Sequence, residues 1–123
     1  MPRTIAIGDV HGCADEFEEL LKTLAIQPKD RVIQLGDLVN RGPDSHKSVE
    51  LAKEYQIEAI VGNHELRLLE ARSQHDEKLL KSYDQATIEQ MTDEDWGYLE
   101  AMPKYIYDAS IDTIFVHGGF LPN

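Results

Sequence analysis

One arrangement recurs four times along this chain. A short β-rich run is broken by glycine and passes at once into polar residues: "TIAIGDVHG", "VIQLGDLVNRG", "EAIVGNHE" and "TIFVHGG". Between the first three lie stretches with helical spacing. Phe17, Leu20, Leu21 and Leu24 form one apolar stripe; Val49 and Ala52 are core contacts of a second helix; Leu66, Leu68 and Leu69 supply the apolar mass of a third. Residues 74–90 are polar and read as a loosely packed helix. "TDEDWGYLEAMP" opens on Thr92, a good N-cap, with acids in the first turn and Pro103 as a stop. "KYIYDASIDTIFVHGG" reads as two strands with a turn near Ala109 and Ser110. The order β-α-β-α-β-α-α-β-β predicts an α/β fold whose early strands are parallel. In such sheets ligands gather beyond the carboxyl ends of the strands. The four polar clusters are therefore expected at one site.

Bulk properties narrow the function classes. The 123 residues suit one domain, 1–123, with a real core. The net charge of −11 argues against a nucleic-acid binder and against polybasic contact with a membrane. No apolar stretch is long enough to cross a membrane, and no signal-peptide pattern precedes the first strand. The single cysteine, Cys13, forms no internal disulfide and fits a reducing, cytoplasmic setting.

The clusters carry Asp9 and His11; Asp37 with Arg41; Asn63 and His64; and His117. Carboxylate, imidazole and amide donors suit Mn, Fe or Zn, Mn being favoured here, and not a thiolate zinc site. Two cations explain the set better than one. A carboxylate can bridge them, and a water shared between ions about 3.5–4 Å apart becomes a hydroxide nucleophile for in-line attack on phosphorus. Arg41 then has a phosphate to grip with paired hydrogen bonds. Other polar residues have ordinary readings. His46 and His75 are expected on the solvated surface, and Cys13 as a small packing residue. Asp93, Glu94 and Asp95 are expected as helix-start acids on a solvated face, and Tyr105 and Tyr107 as sheet packing.

Taken together, "GDVHG", "GDLVNRGP", "GNHE" and "HGG" at 8–12, 36–43, 62–65 and 117–119 resemble the calcineurin-like metallophosphoesterase signature. The form is that of phosphoprotein phosphatases and symmetrical diadenosine tetraphosphatases. The resemblance implies a four-layer αββα sandwich with mixed β-sheets and a dimetal centre at its strand ends. It implies that Asp9 and His11 bind the first metal, that Asp37 bridges, and that Asn63 and His117 bind the second. His64 is implied as the general acid and a phosphate contact, and Arg41 as a phosphate clamp.

Two departures from the family pattern carry information. The protein phosphatases have Asp where this chain has Asn40, and that Asp pairs with the catalytic His. An uncharged Asn40 would stabilise a protonated His64 less, which leans towards the tetraphosphatases. "GCADEF" and "LRLLEA" lean the same way. The family also continues past "HGG", with a further His ligand and a phosphate-binding Arg. The chain is therefore expected to be the N-terminal part of a domain incomplete at its C-terminus, with an uncovered sheet edge prone to self-association. The expected activity is dimetal hydrolysis of a phosphoanhydride or phosphomonoester. A dinucleoside polyphosphate is favoured as substrate over a phosphoprotein, the serine/threonine phosphatase alternative. A non-catalytic metal- or phosphate-binding module is the alternative of another class.

Overall fold

A computed structural model describes residues 3–74, 78 and 80–118; His75 and Gly119 lie outside them. The elements are β1 (Thr4–Ile7), α1 (Ala14–Leu24), β2 (Arg31–Gln34), α2 (Ser45–Glu54), β3 (Glu58–Ala59), α3 (Asn63–Gln74), α4 (Ser82–Gln90), α5 (Asp93–Glu100), β4 (Tyr105–Asp108) and β5 (Thr113–Val116). Three helices thus lie between β3 and β4, where the expected order has two. Local chemistry sets several boundaries. Asp44 caps α2 by accepting from the Lys47 amide at 2.9 Å. At α5 the exchange is reciprocal: Thr92 Oγ1 accepts from Asp95 N, and Asp95 Oδ2 accepts from Thr92 N.

β1, β2 and β3 form a parallel sheet in that order, and β4 and β5 an antiparallel pair. Alternation along β2 explains the layering. Val32 faces the helices and joins Phe17, Leu21, Val49, Ala52, Leu68 and Leu99 in the main core. Ile33 faces the other way and meets Ile60 and Ile106, with Leu35 and Phe115 beside them, in a seam between the two sheets. The expected α/β architecture of helices over stacked sheets is therefore present.

The apolar stripes are narrower than their spacing suggests. Leu20 and Leu66 are 41% and 48% exposed, whereas Leu21 and Leu68 carry the burial. Tyr105 and Tyr107 lie on the outward face of the β4–β5 pair, about half exposed. Asp95 is not solvated as expected, while His46 keeps a partly exposed side chain. Asp95 is buried and sits 2.6 Å from His46 Nδ1, a contact that ties α2 to α5 and raises the imidazole pKa. Residues 80–90 are mostly exposed or half-buried, but α4 buries Asp84 and Thr87 completely.

Two buried polar side chains fix the turns at the strand ends. Gln34 donates from Nε2 to the Gly8 and Gly36 carbonyls at 2.9 and 2.7 Å, and its Oε1 accepts from Gly36 N at 3.0 Å. It stitches the end of β1 to the end of β2. Glu65 accepts from the amides of Asp37, Gly62 and Val39 at 2.8, 2.8 and 3.2 Å, joining the turn after β2 to the start of α3. Burial pushes its carboxyl up to about 7, against the pull of those donors towards the charged form. The approach is tight enough that a Cβ on Gly62 would collide with the Asp37 carboxylate and amide.

Glu65→Gln keeps the shape but turns one acceptor into a donor facing an N–H. It is expected to cost about 1–3 kcal/mol in urea unfolding. A second outcome concerns acid. Asp30 accepts from Arg3 Nη2 at 2.6 Å, Arg3 N at 3.1 Å and Gln27 N at 2.9 Å. The Arg3 guanidinium holds its carboxyl well below the usual range, at about 2. A depressed carboxyl stabilises the fold above its unfolded value and loses that contribution as pH falls through the folded one. Asp30→Asn is expected to melt lower than the parent near neutral pH. The difference should close between roughly pH 4 and pH 2, read by thermal denaturation across that range.

Candidate metal centre

Four loops deliver the site, and they do so at conformational expense. Of the seven described non-glycine residues with positive φ, four are His11, Asp37, Asn40 and Arg41. Left-handed backbone at ordinary side chains is held only where surrounding contacts over-determine it, and such residues gather at functional sites. Here the contacts are visible. The His11 amide donates to the Asp37 carbonyl at 2.8 Å, the Asn40 amide to Ser45 Oγ at 2.9 Å, and the His64 amide to Asp37 Oδ1 at 3.0 Å. Gly36, at φ +100°, lies so close to His117 that a Cβ there would stand 2.6 Å from its Nδ1.

These loops bring together Asp9, His11, Asp37, Asn63, His64 and His117. Two groups of donors each lie within 4.8 Å internally, one of His11, Asp37 and His64 and the other of Asp9, Asp37 and His117. Asp37 is common to both and is 4% exposed. Its Oδ2 is 3.3 Å from His117 Nε2 and 3.8 Å from His11 Nε2. His11 Nε2 is also 3.3 Å from Asp9 Oδ2.

The donor set fits a cation on three counts. His117 Nδ1 donates to the Leu35 carbonyl at 2.8 Å, which leaves the Nε2 lone pair turned towards Asp37, the arrangement of a metal-ligating imidazole. His11 Nδ1 is buried with no hydrogen-bond partner among the described residues, while its other nitrogen faces two carboxylates. Asn63 has two amide settings. With its nitrogen inward it donates to Asp37 and His117; with Oδ1 inward it meets only acceptors, His117 Nε2 at 2.9 Å among them. A positive ion is what makes the second setting favourable.

Behind His64 lies a polar clasp that the sequence did not announce. His64 is 8% exposed and stacks near Tyr83, and Arg41 and Arg67 each lie 5.8 Å from the Tyr83 ring. Asn40 Nδ2 sits 3.1 Å from His64 Nδ1 and 2.5 Å from Asp84 Oδ1, and Thr87 Oγ1 donates to Asn40 Oδ1 at 2.8 Å. Arg67 grips both oxygens of Asp84 at 3.0 Å, and the Lys81 amide donates to Oδ2 at 2.8 Å. Burial alone would raise the Asp84 carboxyl; Arg67, Lys81 and Asn40 outweigh it and hold it below its ordinary value. Burial lowers the His64 imidazole, Asp37 opposes that shift, and Arg67, His11 and Arg41 add to it. Gln34, Glu65, Asp84, Thr87 and Arg67 all escaped the sequence reading. Only Glu65 stood inside a motif, where it looks like any first-turn acid.

Comparison with known proteins agrees with this geometry. A symmetrical bis(5'-nucleosyl)-tetraphosphatase from Chromohalobacter salexigens is 38% identical over 98% of this chain and 46% of its own length. A solved structure of a candidate diadenosine tetraphosphatase superposes with a TM-score of 0.80 at 30% identity, covering 94% of this chain and 50% of the other. A metallophosphoesterase from Sphaerobacter thermophilus gives 0.69 at 27% identity, over 85% of this chain and 42% of the other. The chain spans less than half the length of the curated relatives it matches. The calcineurin-like phosphoesterase profile matches residues 2–122, and with the strand-end site just described it places this chain in the calcineurin-like phosphoesterase family.

Proposed function

We propose that residues 1–123 carry the metal-binding site of a phosphoesterase domain, of which they form the N-terminal part, and that this domain hydrolyses a phosphoanhydride in a dinucleoside polyphosphate. The observation that carries the reading is the position of Asp37, buried and shared by both groups of metal-capable donors. The names of the relatives support the substrate class. Asp9 and His11, 3.3 Å apart, are assigned to one cation, Asn63 and His117, 2.9 Å apart, to a second, and Asp37 to both, although the two donor groups pair Asp9 with His117 and His11 with His64. Mn is favoured over Fe and Zn for this mixture of oxygen and imidazole donors. When bound, such ions supply Lewis acidity that polarises phosphoryl oxygens and acidifies water.

The chain's own groups supply the rest. Arg41 lies 5.8 Å from the centre of the Tyr83 ring and is assigned to phosphate oxygens, which its planar fork can grip with paired hydrogen bonds. His64, on the inner side of the same ring, is assigned to the leaving-group oxygen. The single Cys13 fits a cytoplasmic setting. No helix among the described residues is long and apolar enough to cross a membrane.

The test offers diadenosine tetraphosphate, a phosphoserine peptide and p-nitrophenyl phosphate with added Mn, and measures metal content per chain. Turnover of the tetraphosphate above the peptide is expected, with two metals bound. Asp37→Asn is expected to lower metal affinity and turnover by on the order of 10²-fold or more. Saturating Mn should raise the melting temperature of the parent, a gain of about 3 kcal/mol at a hundred times Kd, and leave Asp37→Asn nearly unmoved. Hydrolysis of none of the substrates, with metal content unchanged by Asp37→Asn, would overturn the reading.

A further inference from the structure

The clasp behind His64 decides where that ring holds its proton. Two groups converge on His64 Nδ1: Asn40 Nδ2 at 3.1 Å and Arg67 Nη2 at 3.4 Å. A guanidinium has no lone pair to offer and can only donate. The Asn40 amide is likewise fixed. Its nitrogen faces the Asp84 carboxylate, which only accepts, and its oxygen receives the Thr87 hydroxyl. The second amide hydrogen of Asn40 therefore points at His64 Nδ1. Among the described residues that nitrogen faces donors alone, so it is the acceptor.

We infer that Asp84, Thr87 and Arg67 are positioning residues that act through Asn40 and Nδ1 to hold His64 as its Nε2–H tautomer, a hydrogen-bond donor and not an imidazolium. Asp84 is completely buried and all its close contacts are donors, so the carboxylate orients the amide and does not itself touch the ring.

A consequence for substrate follows, and it rests on the phosphoesterase reading above. In hydrolysis a P–O bond to water forms as the P–O bond to the leaving group breaks, and the proton lost by water passes to solvent. A phosphate leaving group departs as a stable anion, its own last proton titrating near a pKa of about 6, and needs only a hydrogen bond. A serine alkoxide is a far stronger base and needs the proton itself. A neutral Nε2–H stabilises the first and serves the second poorly. The clasp thus selects phosphoanhydrides and activated esters over alkyl phosphate esters.

The tautomer is read directly by nitrogen-15 NMR of the metal-free 123-residue chain, with His64 assigned by comparison with His64→Gln. An unprotonated Nδ1 and a protonated Nε2 are expected. Thr87→Val should lose that single-tautomer pattern and Thr87→Ser should retain it. A protonated Nδ1 in the parent, or an unchanged pattern in folded Thr87→Val, overturns the inference. If Thr87→Val fails to fold, the parent and Thr87→Ser spectra decide alone. This measurement needs no turnover, so it stands apart from the fate of the phosphoesterase reading. In turnover, kcat/KM should fall steeply from aryl to alkyl phosphates. The double variant Asn40→Asp/Asp84→Asn, which moves the carboxylate onto Nδ1, should narrow that gap by on the order of 10²-fold. Equal rates on aryl and alkyl phosphates in the parent would overturn the selectivity.

Discussion

Glu65 accepts three backbone amides that no strand or helix uses, and the site hangs on that convergence. Two of the amides belong to the turn after β2, the third to the turn before α3. Without an internal acceptor each would be a buried, unpaired donor, costing roughly 1–3 kcal/mol. With it, Asp37 is pressed against the start of α3, where its Oδ1 takes the His64 amide. Gly62 is small because this approach leaves no room for a side chain. The position of Asp37 between the two donor groups is thus a consequence of backbone pairing and not of the donors themselves.

The same tightness explains why left-handed residues crowd here. His11, Asp37, Asn40 and Arg41 each turn the chain where a relaxed loop would pass the site by. Their strain is compensated by hydrogen bonds between loops: His11 to Asp37, Asn40 to Ser45, Gln34 to Gly8 and Gly36. Rigid loops on a parallel sheet keep imidazoles and carboxylates at spacings that their mutual electrostatics would otherwise relax.

Much of this was legible in the sequence. β-rich runs ending in glycine and metal-type residues marked β1, β2 and β5, the parallel order, and the gathering of Asp9, Asp37, Asn63 and His117. The third such run shrank to the two residues of β3, since its remaining residues turn into the seam and the α3 turn. What escaped has one physical cause. The burial of a polar side chain depends on partners far off in the chain, and periodicity carries no record of them. Asp84 and Thr87 meet Asn40 across 44 and 47 residues, so a stretch poor in apolar residues looked loose. Asp95 was misjudged for the same reason, its partner His46 lying 49 residues away. Leu20 and Leu66 were misjudged more simply: the buried arc of each helix is narrower than its apolar stripe.

The way α4 is attached has a dynamic consequence. It contributes Asp84 and Thr87 to the interior, and its apolar contacts with the core are only partly buried ones such as Ile88. A segment held mainly by polar pairs opens at a lower free energy than the strands and helices that share the main core. When α4 lifts away, Asn40 loses the partners that orient it and water reaches the far side of His64. The orientation of the His64 ring thus depends on a polar attachment, whereas the position of Asp37 depends on the turns at the sheet.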